Sequence, residues 1–132
     1  MTQNILTIDD EEVILSLLRE LFEEEGYSIA QASTPREAKA AIAAKTPDLI
    51  ITDLQLANSD GLELVGSIRQ DLPDVPVILL TGVYFDEQTI DEKLSTKITA
   101  YHNKTAPLEA LLKTVRKLLS ADESPTASAE DQ

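Results

Sequence analysis

The sequence predicts an α/β fold: a doubly wound sheet of five parallel strands, with two helices on one face and three on the other. Two observations predict it. Short apolar segments alternate regularly with segments of helical periodicity. Three of the short segments are also apolar on both alternating faces, as a strand covered by helices on both sides must be. Strand then helix, repeated five times with right-handed crossovers, gives this architecture.

The strand candidates are short, rich in apolar or β-branched residues, and bounded by turn-forming or charged residues. Around Leu6, Ile50 and Ile78 the apolar residues occupy consecutive positions, which indicates burial on both faces. The five candidates lie at residues 5–8, 27–32, 49–52, 75–80 and 98–102.

The first and last predicted helices have the clearest patterns. In the first, apolar residues recur every three or four positions, charged residues lie on the opposite side, and Gly26 follows as a stop. The last helix opens at Pro107 and carries one leucine-rich stripe over residues 108–119. The apolar residues of the first helix are Val13, Ile14, Leu17, Leu18, Leu21 and Phe22.

Three further helices are expected between these two. Thr34, Pro35 and Glu37 supply an N-cap, a proline at the first helical position and the acid of a capping box, which predicts a helix up to residue 45. A third helix is predicted at residues 61–72. A fourth, at residues 86–94, has only two apolar anchors and is the weakest of the set.

Length and charge limit the organisation and the partners. The 132 residues leave room for one domain, expected at residues 1–119, followed by an acidic disordered tail at residues 120–132. The net charge is −13, which repels a phosphate backbone or an anionic membrane, so neither nucleic acid nor membrane is expected as a partner. The sequence has no long apolar run and no signal pattern, and we expect a cytoplasmic protein.

Polar residues close four of the five predicted strands. Asp9 and Asp10 follow the first strand, Asp53 the third, Thr81 the fourth and Lys104 the fifth. Ligands of doubly wound sheets bind beyond the carboxyl ends of the strands, so these residues are expected at one rim.

The charges of this rim require compensation. Carboxylates about 5 Å apart repel by roughly 3 kcal/mol per pair at an effective dielectric constant near 20. Lys104 neutralises one of the three negative charges of Asp9, Asp10 and Asp53, and a divalent cation would neutralise the rest. Oxygen ligands suit Mg²⁺ or Mn²⁺, whereas Zn²⁺ prefers histidine or cysteine ligands. The chain has one histidine and no cysteine.

Four segments of the sequence resemble the receiver domain of two-component response regulators. They are ILTIDDEE at 5–12, DLQLANSDG at 53–61, VILLTG at 77–82 and AYHNK at 100–104. The resemblance covers residues 4–119 in the right order and spacing. We therefore expect the flavodoxin-like strand order 2-1-3-4-5, with five helices.

The resemblance implies a role for each rim residue. Asp53 would accept a phosphoryl group from the phosphohistidine of a sensor histidine kinase or phosphotransfer protein. Mg²⁺ would be held by Asp10, Asp53 and the backbone carbonyl of Gln55, and through water by Asp9. Lys104 would contact the phosphoryl oxygens.

The resemblance also implies how the signal leaves the site. Thr81 would donate its hydroxyl to the phosphoryl group and Tyr101 would follow it inward. This movement would alter the face formed by the predicted helix at 86–94, the strand at 98–102 and the last helix, through which a homodimer could also form. Such a domain is a regulatory phosphoacceptor rather than an enzyme, and it catalyses only its own phosphorylation and dephosphorylation.

One departure from the family pattern keeps an alternative open. Thr105 follows Lys104 where the family usually has a proline after a cis peptide bond, and a cis bond before threonine would cost about 3 to 4 kcal/mol. We expect this bond to be trans. The alternative function is a receiver-like interaction module that binds its partners constitutively, without phosphorylation.

Two other classes of α/β protein fit the sequence less well. A nucleotide or flavin binder would need a glycine-rich or hydroxyl-rich turn after the first strand, where this chain has four consecutive acids at 9–12. A phosphatase with an aspartate nucleophile would need a second aspartate where Gln55 stands. The sequence leaves open whether the domain signals alone or was part of a longer chain.

Overall fold

A computed structural model describes residues 3–53, 55–56, 59–81, 98–104 and 106–123. Five strands and four helices form its main body. The strands are β1 (Asn4–Ile8), β2 (Ser28–Ala32), β3 (Leu49–Thr52), β4 (Val77–Thr81) and β5 (Ala100–Asn103), and the helices are α1 (Glu12–Glu24), α2 (Pro35–Ala44), α3 (Gly61–Asp71) and α4 (Leu108–Glu123).

The five strands form one parallel sheet in the order β2-β1-β3-β4-β5, which confirms the predicted fold class and strand order. Ile5 is the register partner of Ile29 on one side and of Leu49 on the other. Because β1 and β3 are neighbours in the middle of the sheet, the residues that follow them emerge side by side at the carboxyl edge.

The central strands are buried on both faces, as their continuous apolar sequences predict. Every residue of β1 and β3 is buried. On one face Ile5, Ile51 and Ile78 belong to a core that includes residues of α1 and α4. On the other, Leu6 and Ile50 belong to a second core with residues of α2 and α3. The two cores pack the sheet between two helical layers, and this packing holds the strand ends at its carboxyl edge in place.

The first helix buries a narrower stripe than its sequence predicts. Leu18 and Phe22 are fully buried against the sheet, but Val13 is 70% exposed and Leu17 is 44% exposed. The apolar residues of α1 cover more of its circumference than the sheet and α4 can cover. Val13 and Leu17 therefore belong to the apolar pattern of α1 but lie outside the core.

Both helix-boundary signals act as their sequences indicate. Gly26 adopts φ +95°, and the N–H groups of Gly26 and Tyr27 donate to the carbonyls of Glu23 and Phe22, which closes α1 with a Schellman motif. At the start of α2 the Thr34 hydroxyl accepts a hydrogen bond of 3.1 Å from the N–H of Glu37.

Several expectations fall outside the described residues. The predicted helix at 86–94 lies in the interval 82–97, and the peptide bond before Thr105 and the tail at 124–132 lie outside as well. The last helix runs to Glu123, four residues into the segment expected to be a tail. A short antiparallel pair, Gln55–Leu56 with Ser59–Asp60, was not anticipated. No helix in the described part of the chain is long and apolar enough to cross a membrane.

Candidate functional site

The site begins where the central strands end. Asp9 follows β1, and its backbone N–H donates to the carbonyl of Ala32 in β2 at 3.0 Å. Asp53 follows β3, and its N–H donates to the carbonyl of Ile8 in β1 at 3.1 Å. Each of these hydrogen bonds extends the strand ladder by one residue. The backbone positions of both aspartates are therefore fixed by the sheet.

Lys104, the residue after β5, reaches across the rim to three carboxylates. Its Nζ lies 2.9 Å from Oδ2 of Asp9, 2.6 Å from Oε2 of Glu11 and 2.8 Å from Oδ2 of Asp53. The side chains of Lys104, Asp9 and Asp53 are almost fully buried, at 8%, 3% and 4% exposure, while that of Glu11 is 57% exposed. An ammonium group has three protons, so these three acceptors use its full donor capacity.

Burial and ion pairing oppose each other in the pKa values of this group. Burial alone would lower the pKa of Lys104, but hydrogen bonds to Asp53, Asp9 and Glu11 outweigh it, and the pKa lies above its ordinary value. Burial raises the pKa of Asp9 above its ordinary value, although the hydrogen bond from Lys104 opposes that shift. Lys104 therefore stays charged at neutral pH.

The acidic residues of the rim form a set with the dimensions of a cation site. One carboxylate oxygen from each of Asp9, Asp10, Glu11 and Asp53 lies within 4.8 Å of the others. Asp10 and Glu11 are exposed, whereas Asp9 and Asp53 are buried. With Lys104 the formal charge of this cluster is −3. Its all-oxygen donor set fits a hard divalent cation such as Mg²⁺ or Mn²⁺.

The structure therefore brings together four of the residues selected from the sequence: Asp9, Asp10, Asp53 and Lys104. Thr81 closes β4 as expected and is the register partner of Asn103, which precedes Lys104, but its side chain is not among those described. Tyr101 is half-buried in β5. Gln55 lies in the short antiparallel pair close after Asp53, and only its backbone is described.

Glu11 is the site residue that the sequence did not reveal. It stands in a run of four acids at 9–12, and any of the four could have been an ordinary solvated residue at a helix start. Only its contact with Lys104, which lies 93 positions later in the chain, distinguishes Glu11 from such a solvated residue. The weak signal available was its position directly after the paired aspartates.

The fold and the acidic rim together define an α/β domain with a charged site at the carboxyl edge of its sheet. The family model described as the response regulator receiver domain matches residues 5–116 of the chain. The chain therefore belongs to the receiver domain family of two-component response regulators, and it is a regulatory domain of that class.

Individual relatives agree with this assignment. The alkaline phosphatase synthesis transcriptional regulatory protein PhoP of Bacillus subtilis is 34% identical over 81% of this chain, a match that covers 43% of PhoP. The crystal structure of a two-component response regulator from Clostridium difficile superposes with a TM-score of 0.86 at 29% identity, covering 93% of this chain and 100% of that one.

A third relative carries a ligand. The response regulator TrrA of Thermotoga maritima, solved in complex with Mg²⁺ and BeF, is 34% identical with a TM-score of 0.77, covering 89% of this chain and 99% of that one. The chain spans 18%, 43% and 51% of the lengths of three curated relatives, NtrX of Azorhizobium caulinodans, PhoP of Bacillus subtilis and MprA of Mycolicibacterium vanbaalenii.

Proposed function

We propose that Asp53 accepts a phosphoryl group from the phosphohistidine of a sensor histidine kinase or phosphotransfer protein, in a reaction that requires a divalent cation. The observation that carries the proposal is the position of the Asp53 carboxylate. This carboxylate has an ammonium group at 2.8 Å and oxygens of three further carboxylates within 4.8 Å, at the carboxyl edge of the sheet.

The proposed chemistry is nucleophilic attack by Asp53. One carboxylate oxygen forms a bond to phosphorus while the bond from phosphorus to the donor nitrogen breaks. Phosphoryl transfer has a loose transition state, so the protein contributes mainly by positioning and by neutralising charge. Lys104, held beside Asp53, supplies a fixed positive charge for the phosphoryl oxygens.

The cation is proposed to be Mg²⁺, with Mn²⁺ as a substitute. Asp10, Asp53 and the backbone carbonyl of Gln55 would hold it, and Asp9 would act through water. The support is the oxygen-only donor set and the excess negative charge of the cluster. When bound, the cation would supply positive charge that neutralises the oxygens of the transferring group. Asp10 is suited to direct contact because its carboxylate is exposed.

Phosphorylation is proposed to act through Thr81 and Tyr101. A phosphoryl group carries a charge of about −1.5 to −2, and each charged hydrogen bond to it is worth roughly 1.5 to 3 kcal/mol. Moving a two-state equilibrium from 1:99 to 99:1 requires about 5.5 kcal/mol. One hydrogen bond from Thr81 is therefore insufficient, and coupling with Lys104 is required. The output face, and any homodimer through it, would include β5 and the last helix.

The proposal is tested by incubating the chain with acetyl phosphate and MgCl₂ and measuring intact mass. We expect one adduct of a single phosphoryl mass on the parent chain and none on Asp53→Asn. Asp71→Asn, at the exposed end of α3, is the matched control and should be labelled as the parent is. Removal of the divalent cation with EDTA should abolish labelling of the parent and of Asp71→Asn.

The alternative function makes a different prediction in the same experiment. A constitutive interaction module would take no adduct from acetyl phosphate or from any phosphohistidine donor, and it would bind its partner equally well with and without phosphodonor. That outcome would replace the proposal. The cytoplasmic location expected from the sequence remains a prediction and is tested by fractionating cells that express the tagged chain.

A further inference from the structure

The donor capacity of Lys104 is the starting point of a further inference. Its three ammonium protons face Asp9, Glu11 and Asp53, at distances between 2.6 and 2.9 Å. In this state none is left for a phosphoryl oxygen. Phosphorylation of Asp53 would release the proton that faces this carboxylate, so Lys104 can give the phosphoryl group a second hydrogen bond only if Asp9 or Glu11 also gives way.

Glu11 differs from the other two carboxylates in its surroundings. The carboxylate of Asp9 is buried, and its second oxygen accepts a 2.9 Å hydrogen bond from the N–H of Glu11, which fixes its orientation. The carboxylate of Asp53 is buried and is the proposed acceptor itself. The side chain of Glu11 is more than half exposed, so it can turn into water at little desolvation cost.

Glu11 also makes no use of its position at the start of a helix. It is the N-cap residue of α1, yet its side chain accepts no capping hydrogen bond. Within the described part of the chain, the contact of this carboxylate is with Lys104. Its contribution is therefore directed at the site and not at the stability of α1.

We propose that Glu11 is a positioning residue that holds the third proton of Lys104 in the unphosphorylated protein and competes with the phosphoryl group for it. Release of Glu11 into solvent frees a second proton of Lys104 for the phosphoryl oxygens. Glu11 thereby opposes the phosphorylated state and sets how much phosphodonor the domain needs. This inference rests on the proposed function of Asp53.

The test uses beryllofluoride, which copies a phosphoryl group, titrated at saturating MgCl₂ and followed by calorimetry. Glu11→Gln should bind it about three- to tenfold more tightly than the parent, because the competing charge is gone. Glu11→Ala, which removes the acceptor entirely, should bind at least as tightly as Glu11→Gln. Both variants should also be labelled faster by acetyl phosphate.

Glu12→Gln is the matched control. Glu12 is exposed, stands one position later and carries the same charge in the first turn of α1. Its substitution removes the same formal charge without removing a contact of Lys104, and it should change beryllofluoride affinity by less than about twofold. Mg²⁺ affinity, measured without beryllofluoride, should weaken only modestly more in Glu11→Gln than in Glu12→Gln, because the Glu11 carboxylate lies in the acidic cluster but is not one of the proposed ligands.

Three outcomes would overturn the inference. If Glu11→Gln binds beryllofluoride no more tightly than Glu12→Gln, Glu11 does not compete for Lys104. If Glu11→Gln weakens Mg²⁺ binding far more than Glu12→Gln, Glu11 is a cation ligand. If the parent neither binds beryllofluoride nor takes phosphate on Asp53, the proposed function fails and this inference with it. The first two outcomes leave phosphorylation of the parent intact, which distinguishes them from the third.

Discussion

The Nζ atom of Lys104 lies 2.8 Å from Oδ2 of Asp53, although the two residues are 51 positions apart in the chain. They follow β5 and β3, which are separated in the sheet by β4. Two strand spacings amount to about 9 to 10 Å, so only a long side chain can cover this distance. The contact joins the end of the edge strand β5 to the end of the central strand β3, and it buries the ammonium group of Lys104 beside carboxylates.

Lys104→Met should destabilise the domain, because it leaves Asp9, Asp53 and Glu11 close together without their cation. Removing one partner of a buried ion pair typically costs about 3 to 5 kcal/mol, and we expect a loss of that order in the free energy of unfolding. Urea denaturation in EDTA at neutral pH measures it. Lys113→Met, at an exposed position of α4, should change stability by less than about 0.5 kcal/mol.

MgCl₂ should raise the free energy of unfolding of Lys104→Met more than that of the parent. In the variant a divalent cation binds the uncompensated carboxylates in place of the ammonium group. The measurement is the shift of the urea midpoint with MgCl₂ concentration. Equal shifts in parent and variant would show that Lys104 and the cation do not share these carboxylates.

The sequence was sufficient for the sheet and for most of the rim. Strand ends are fixed by topology, so placing Asp9, Asp53 and Lys104 together required only the strand order. Contacts of exposed side chains do not follow from topology, and for that reason Glu11 was missed. The burial of a helix residue also depends on which neighbouring elements pack against it. The exposed Val13 shows that the apolar stripe of α1 is wider than the surface that covers this helix.

Ile51→Ala and Val13→Ala should differ sharply in their effect on stability. Ile51 is fully buried in β3 between the sheet and the helices of one face, and truncation there should cost about 2 to 5 kcal/mol. Val13 is largely exposed, and its truncation should stay within about 0.5 kcal/mol. Urea midpoints with unchanged slopes measure both. A large loss for Val13→Ala would place this side chain in the core after all.

Gly26→Ala should lower stability by about 1 to 2 kcal/mol through backbone strain alone. Gly26 has φ +95°, and no atom lies within 4 Å of the position a Cβ would occupy, so a clash contributes nothing. Gly26→Asn should lose less, since asparagine tolerates left-handed backbone better than alanine does. Thermal unfolding should give the highest melting temperature for the parent, a lower one for Gly26→Asn and the lowest for Gly26→Ala. Equal stability of the alanine and asparagine variants would contradict the strain argument.

His102 is predicted to make the stability of the domain depend on pH. Its Nε2 lies 2.8 Å from Oγ1 of Thr114, and the Thr114 hydroxyl donates its one proton to the carbonyl of Ala110. The imidazole Nε2–H therefore donates to Thr114 and joins β5 to α4. Burial lowers the pKa of His102 below its ordinary value of 6.5.

The sign of the pH effect follows from this shift. Between the folded pKa and 6.5 the unfolded chain binds more protons at residue 102 than the folded one does, so the stability contributed by His102 is complete above pH 6.5 and decreases as the pH falls below it. The slope is at most about 1.4 kcal/mol per pH unit. His102→Gln keeps a side-chain N–H donor but has no titration, and its stability should fall less between about pH 7.5 and 5.5.

The difference between the parent and His102→Gln isolates this effect, because the carboxylates titrate in both proteins and their contributions cancel. Urea denaturation at several pH values in EDTA gives the two curves. They should run parallel above pH 7 and separate below 6.5, with the parent losing more. Parallel curves across the whole range would show that His102 titrates alike in the folded and unfolded chain, and that its burial in β5 does not disfavour the charged ring.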